Sequence, residues 1–406
     1  MNILIVGGGG REHALAWRLA RSAEKHKLFA SPGNPGIAAL GTCLPAFPGV
    51  SGYIDMAEKL AIDLTIVGPE APLVAGIVDR FQARGLRIIG PTEAAARLEG
   101  SKIFAKQFLE RAGIPTAQSV QVSTVEDGLT ALPRFGLPVV VKADGLAAGK
   151  GVTVAQTRFE AREAIERLGP RLVIEEFLDG EEVSFIGLST GETLIPFPPT
   201  QDHKRAFDGD LGPNTGGMGA YLDSRILNPA QSGEVMDRIM LPAIRQMAKD
   251  GTPFTGFLYA GLMMTAEGPK VLEFNVRMGD PEAQVIFYSF EGDLTAFLQG
   301  EQAATFDPQP SACVVLAAAG YPEQPHTGDV IQGIDEAEAT GATVFHAGTQ
   351  MAGNQLITAG GRVLGVTGGG TTLADAIDGA YKAARRIHFE GRHFRTDIGR
   401  KGLRRW

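Results

Sequence analysis

Val139-Val140-Val141-Lys142-Ala143-Asp144-Gly145-Leu146-Ala147-Ala148-Gly149-Lys150-Gly151 reads as an apolar strand ending in a lysine, followed by a glycine-spaced loop with a second lysine. Such a loop lets backbone N–H groups approach a phosphate closely, while lysine supplies a point charge. A second segment, Val271-Leu272-Glu273-Phe274-Asn275-Val276-Arg277, alternates apolar and polar residues with period two. On a strand this puts Glu273, Asn275 and Arg277 on one face and Leu272, Phe274 and Val276 on the other, the core-making face. A carboxylate and an amide oxygen two residues apart are hard ligands, suited to Mg²⁺ or Mn²⁺ that also touches nucleotide phosphates. Arg277, one step further, can meet negative charge on a transferring phosphoryl group. Together the two segments describe a nucleoside-triphosphate site without a Walker loop.

Outward from these segments, residues 172–177 read as another strand, with Glu175-Glu176 at its end and a turn through Glu181-Glu182. Residues 214–221 form a glycine-rich loop, 234–249 a helix, and 257–264 with 270–276 a hairpin. The first hundred residues alternate short apolar runs (2–6, 27–30, 64–67, 86–89) with helical patterns such as 12–21, which predicts a parallel α/β layer. Its loops follow strand C-terminal ends, where open parallel sheets bind ligands. The last hundred hold strands at 313–319, 343–345 and 362–367 and an amphipathic helix over 373–387. The units expected are 1–101, 102–307 and 308–406.

With 406 residues and ~150 per domain, two to four domains are expected. A formal net charge of −8 argues against a nucleic-acid surface. Cys43 and Cys313 are too few for a disulfide framework or metal cluster, which points to a reducing cytoplasm. The N-terminus passes straight into Asn2-Ile3-Leu4-Ile5-Val6 with no leader read there. No apolar run approaches the ~20 residues that cross a bilayer.

Gly7-Gly8-Gly9-Gly10-Arg11-Glu12-His13 invites a dinucleotide-binding reading, but the third glycine of that fingerprint falls on Glu12 or His13. No acidic residue ends the second strand to hold a ribose. A single phosphate on a small substrate, beside Arg11, fits this loop better; a plain strand-to-helix turn is the bland alternative. Of the four glutamates at 175–182, one carboxylate suits ribose hydroxyls. The histidines show no ligand spacing. Gln201-Asp202-His203-Lys204-Arg205 is either an exposed loop or a substrate contact.

The ordered set Gly8-Gly9-Gly10-Arg11-Glu12-His13-Ala14, Gly68-Pro69-Glu70-Ala71-Pro72-Leu73, Glu99-Gly100-Ser101-Lys102, the 142–151 and 175–182 segments, Gln201-Asp202-His203-Lys204, Pro213–Ala220, Glu273-Phe274-Asn275 with Arg277, and Gly279-Asp280-Pro281-Glu282 resembles the glycinamide ribonucleotide synthetase (phosphoribosylamine–glycine ligase) family of ATP-grasp enzymes. The resemblance runs end to end. It implies an α/β and α+β multidomain chain: an N-terminal parallel α/β domain, an ATP-grasp core with a mobile subdomain near 116–180, and a small C-terminal α/β domain. It implies ligation of glycine to 5-phosphoribosylamine with ATP and Mg²⁺ or Mn²⁺, and transient contact with the enzyme that supplies the amine. By matching motifs, ATP falls to Lys102, Lys142, Gly145, Gly149, Lys150, Gly151, Glu175, Glu176, Phe177 and Glu182, and the metal to Glu273 and Asn275. Substrates fall to Gly9, Arg11, Glu12, Asn34, Glu70, Asp202, Lys204, Asn214, Thr215, Gly216, Gly217 and Met218, with Lys142 and Arg277 catalytic. This chain departs from the pattern in two places. The strand preceding Glu273 carries no acidic residue, and the connection at 168–171 is short. The rival readings are a ligase acting on a later ribonucleotide, a nicotinamide-dependent dehydrogenase, and a nucleotide-binding regulator.

Overall fold

Asn2–Gly7 is an apolar run whose Ile3, Leu4, Ile5 and Val6 have no exposed surface, so it takes the centre of a sheet covered on both faces. The computed structural model, which describes residues 1–146, 151–301 and 303–405, pairs it in parallel with Lys27–Pro32 and Leu64–Val67. Thr42–Cys43 and Ile88–Ile89 form the edges. The first helix, Gly10–Leu19, starts two residues before the expected 12–21 because the Glu12 carboxylate accepts the Gly9 N–H at 2.5 Å and closes its first turn. Residues 91–101, at the end of the first expected unit, contain the helix Glu93–Gly100, capped by Thr92.

A small four-stranded antiparallel sheet follows, in the order Ser119–Val122, Leu172–Glu176, Val139–Ala143, Val152–Ala155. The helices Val125–Ala131 and Arg158–Leu168 cover it, and it has its own core around Phe135, Val139, Val141 and Ile174. The helix Arg158–Leu168 reaches the strand Leu172–Glu176 through residues 169–171 alone.

The large antiparallel sheet runs Gly268–Asn275, Thr255–Thr265, Glu181–Thr190, Thr200–Asp202, Gly219–Leu222, and then continues through Ser311–Ala317, Arg362–Gly369 and Thr343–His346. The C-terminal strands thus extend the central sheet through the pairing of Gly219–Leu222 with Ser311–Ala317. The expected hairpin is present, but a bulge at Leu272 breaks its alternation: Val271 pairs with Leu262 and Glu273 with Gly261. Leu272 is therefore only half-buried, and Val271, Phe274 and Val276 carry the core face instead. Truncating Phe274 to alanine in that core costs about 3–5 kcal/mol.

The helix expected over 234–249 begins earlier, at Pro229, and passes from Pro229–Val235 through a wide π turn at Met236–Met240 into Leu241–Lys249. Pro242 has no N–H to offer the preceding turn, and the wide turn absorbs the lost bond. The 214–221 loop is shorter than expected, since strands occupy Leu211–Asn214 and Gly219–Leu222.

Candidate active site

The strand ends and loops converge on one cleft of about 850 Å³. On one wall stands the helix Lys102–Ala112, whose Ser101 cap accepts the Phe104 N–H at 3.1 Å. Ser101 Oγ also donates to Asp144 Oδ1 at 2.8 Å, and the Ile103 N–H reaches the same oxygen at 3.2 Å. Arg171 holds the other oxygen of Asp144 at 2.7 Å, and the Asp144 N–H donates to the Arg171 carbonyl. Asp144 therefore ties the root of the glycine loop to both the helix start and the short 169–171 connection. Lys102 Nζ donates to the Gly145 carbonyl at 3.1 Å, on that same root.

Beside it, the buried carboxylate of Glu175 lies between two lysines. Lys142 Nζ is 2.9 Å from one oxygen and Lys106 Nζ 3.2 Å from the other. Lys142 also donates to the Leu272 carbonyl at 3.0 Å, which links the small sheet to the large one. Burial lowers the pKa of Lys102 and of Lys106 from the usual lysine value, while neighbouring carboxylates resist the shift. Phe177, 41% exposed at the rim, offers a flat apolar surface beside Glu176 and Glu182.

The opposite wall carries Glu273, Asn275 and Arg277, all lining the cleft. Burial would raise the Glu273 pKa, but Lys204, Lys142, Lys102 and Arg277 outweigh it and hold the carboxyl at about 2. It is an anion throughout the neutral range. Lys204 Nζ stands 3.4 Å from Glu273 Oε1 and makes a closer ion pair with Glu182. Arg277 donates to Glu99 Oε1 at 2.7 Å and Asn275 Oδ1 at 3.1 Å, and its Nε lies 3.3 Å from Glu70. Among the described residues, no group of three or more His, Cys, Asp and Glu side chains is placed to hold a metal. Glu273 and Asn275 remain a fitting hard-oxygen pair for a cation that takes its other ligands from phosphate and water.

The third wall joins the N-terminal loops to the 201–217 region. Arg11, Glu70, Asp202, Lys204, Asn214, Thr215 and Gly216 line it. Burial, with Glu282 nearby, raises the Asp202 pKa well above the usual carboxylate value. Other expected contacts lie behind the wall. Asn34 is 7% exposed and fully engaged: its amide donates to the Gly8 and His346 carbonyls at 2.9 Å, and its oxygen accepts the Ile37 N–H. Glu12 lies under the Gly9 turn and pairs with Arg11 at 2.8 Å. It fits because Gly68 is bare; a Cβ there would stand 1.9 Å from its oxygen. A carboxylate of the chain itself thus occupies the helix start, and Arg11, bonded also to the Met278 carbonyl, is the group that reaches the cleft. Met218 is buried, and Gly217 packs against Asp202 and Pro281. Gly151 sits at the foot of the next strand, its carbonyl accepting the Ala143 N–H; Gly149 and Lys150 lie outside the described residues.

Three consecutive family models match: phosphoribosylglycinamide synthetase N domain over residues 1–99, ATP-grasp (A) domain over 100–283 and C domain over 311–401. The chain belongs to the phosphoribosylglycinamide synthetase family. A phosphoribosylamine–glycine ligase of Yersinia pestis is 49% identical over 426 aligned positions, covering all of both chains. One from Vibrio vulnificus is 47% identical over 425 positions, covering all of this chain and 99% of that one. The alignments exceed 406 positions, so these relatives carry residues this chain lacks. The crystal structure of a phosphoribosylamine–glycine ligase from Thermotoga maritima superposes with a TM-score of 0.85 at 33% identity, over 98% of this chain and all of that one. The N5-carboxyaminoimidazole ribonucleotide synthetase of the same organism shares the fold, at a TM-score of 0.66 and 17% identity.

Several cleft residues of this phosphoribosylglycinamide synthetase family chain escaped the sequence reading. Lys106 had a usable signal, since it follows Lys102 by four and shares its helix face. Glu99 and Glu282 lay inside quoted motifs with no role assigned. Glu282 is 2% exposed, and its Oε1 accepts from Ser184 Oγ at 2.9 Å and Tyr259 OH at 3.1 Å. Arg362, which bonds the Gly216 and Asp280 carbonyls, comes from the C-terminal strands and gave no local signal at all.

Proposed function

We propose that this cleft joins glycine to 5-phosphoribosylamine at the expense of ATP, giving glycinamide ribonucleotide, ADP and phosphate. The observation that carries the reading is the convergence on one cavity of Lys102, Lys142 and Glu175, of Glu273, Asn275 and Arg277, and of Arg11, Glu70 and the 202–216 loops. ATP-grasp domains use ATP with a divalent metal; Mg²⁺ or Mn²⁺ on Glu273 and Asn275 would neutralise phosphate charge when bound. Lys102, Lys142 and the glycine loop hold the triphosphate, Glu176, Phe177 and Glu182 the nucleoside. A glycine carboxylate oxygen attacks the γ-phosphorus while the bond to the β-phosphate oxygen breaks, giving glycyl phosphate and ADP. The amine of phosphoribosylamine then attacks the acyl carbon, phosphate leaves, and the amine loses a proton. To Arg277, held by Glu99 and Glu70, we assign the task of meeting the negative charge that accumulates during the first transfer. Arg11 and the 214–216 loop face the second substrate.

We assign units of 1–101, 102–307 and 308–406, the small sheet near 116–180 acting as the moving part. No helix among the described residues is long and apolar enough to cross a membrane. We place the reaction in the cytoplasm, with phosphoribosylamine passed on by the enzyme that makes it. The test is phosphate release with ATP, glycine and freshly generated phosphoribosylamine. Release that needs both substrates supports the reading, and release indifferent to glycine overturns it.

A further inference from the structure

The loop through residues 203–210 forms one margin of the cleft, where Lys204, Arg205 and Asp210 line it. Its outer side is covered by the C-terminal segment 393–401, almost two hundred residues away in the chain. The contacts are dense and polar. Arg395, 1% exposed, donates to the Arg205 carbonyl at 3.1 Å and to Asp210 Oδ1 at 2.9 Å, and grips both oxygens of Asp397 at 2.7 and 2.8 Å. Asp397 in turn accepts the Gly209 N–H at 2.9 Å. Thr396 is bonded through both its N–H and its hydroxyl to Asp208, and His393 Nε2 meets the Ala206 carbonyl at 2.8 Å. Lys401 pairs with Asp210 at 2.6 Å and itself borders the cleft.

Burying a guanidinium is expensive unless its donors are satisfied and its charge is matched. Here the charge is matched half by the loop (Asp210) and half by the segment (Asp397), so the arginine works only when the two are together. Its planar fork fixes direction as well as charge. The hairpin formed by Arg205–Phe207 with Leu211–Asn214 has two short strands paired only to each other, with Phe207 and Leu211 exposed. Two such strands are marginal by themselves.

We propose that the C-terminal segment is a strap that sets the position of the substrate loop, with Arg395 as its positioning residue. The proposal rests on reading this cleft as the ligase site. Without the strap, the hairpin between Lys204 and Asn214 loses its outer support. Lys204 keeps its pairs with Glu182 and Glu273 and Gly216 its bond to Arg362, so the loss falls on how closely the two ends of the hairpin are set relative to Glu273, although no strap residue except Lys401 faces the cleft. Lys102, Lys142 and Glu175 stand on other elements and keep theirs.

The test is Arg395→Lys, which retains the charge between Asp210 and Asp397 but cannot make the fork. The KM for glycine and for phosphoribosylamine is expected to rise roughly tenfold, with the KM for ATP within about twofold. Amide hydrogen exchange of 203–214 should accelerate, while the Asn2–Gly7 strand keeps its protection. Thr396→Val, which removes one bond and no charge, should move the same quantities in the same direction by less. Unchanged KM values, an equal loss for ATP and glycine, or exchange spread evenly over the C-terminal strands would overturn the strap. A wild-type protein without glycine-dependent phosphate release would overturn the ligase reading instead, and the exchange comparison, which needs no turnover, would still decide the strap.

Discussion

Arg277 Nη2 donates to Glu99 Oε1 at 2.7 Å, which locks the cation at the end of the metal-side strand to the helix leaving the N-terminal sheet. The other oxygen of Glu99 accepts the Val276 N–H at 2.8 Å, so one carboxylate fixes both the side chain and the backbone beside it. Burial raises the Glu99 pKa, and Arg277 is the main opposing influence. Glu99→Gln keeps an acceptor but removes the charge that aims Arg277. A loss of about 1.5–3 kcal/mol, or roughly ten- to hundredfold in kcat/KM, is expected. Steady-state kinetics would show it; an unchanged value would mean that Arg277 needs no such support.

Glu273→Ala and Asn275→Ala should each raise the concentration of Mg²⁺ or Mn²⁺ needed for half-maximal phosphate release. The fold should persist, because Val271, Phe274 and Val276 on the opposite face carry the packing. In Glu273→Ala the nearby Lys204 keeps its pair with Glu182 and Lys142 its pair with Glu175, and Lys102 keeps its bond to the Gly145 carbonyl. A metal titration identical to that of the parent would remove the residue concerned from the ligand set.

Much of this site was legible because its chemistry is written in short segments. Glu273, Asn275 and Arg277 stand on one strand, and period-two alternation put them on one face before any fold was known. Lys142 at the end of an apolar run followed by glycines was equally plain. The bulge at Leu272 was not, since a register shift belongs to the pairing with Gly261 and Leu262 and leaves no trace in one strand alone. Glu12 was placed among the substrate contacts only through the family resemblance; its burial depends on Gly68, over fifty residues away. Arg362 and Arg395 reach the cleft region only through the continuation of the central sheet into the C-terminal strands, a long-range event that local pattern cannot register.

The first glycine loop yields a paired prediction. Arg11→Ala should weaken the use of phosphoribosylamine by roughly ten- to hundredfold in kcat/KM, with ATP little affected. Glu12→Ala strips the Gly9 N–H of its acceptor and Arg11 of its partner, and should cost about 1–2 kcal/mol of stability as well. Thermal unfolding alongside substrate titrations separates the two. Equal loss of ATP and amine use in Arg11→Ala would put this loop against the nucleotide.

Three histidines, His13 and His203 buried and His346 half-buried, make stability depend on pH in a predictable direction. His13 Nδ1 accepts the His346 N–H at 2.7 Å, so that nitrogen must be unprotonated in the folded protein. Burial, helped by His346, pushes the His13 pKa down to about 3; burial alone takes His346 to about 4. His203, buried beside the strap, is lowered to about 4 by burial and then by Arg395 and Lys401. In the unfolded chain each titrates near its ordinary value of about 6.5. Below that pH the unfolded state binds more protons than the folded one, so stability falls as pH falls and rises as pH rises. The contribution is fully present above about 6.5 and drains away towards 4, at no more than about 1.4 kcal/mol per pH unit for each histidine. The urea midpoint should therefore drop between about pH 7 and about pH 5, above the range where most carboxylates titrate. His13→Gln retains an acceptor for the His346 N–H and removes one titrating group, so its midpoint should fall less steeply over the same interval. A slope identical to that of the parent would show that His13 takes up its proton without unfolding.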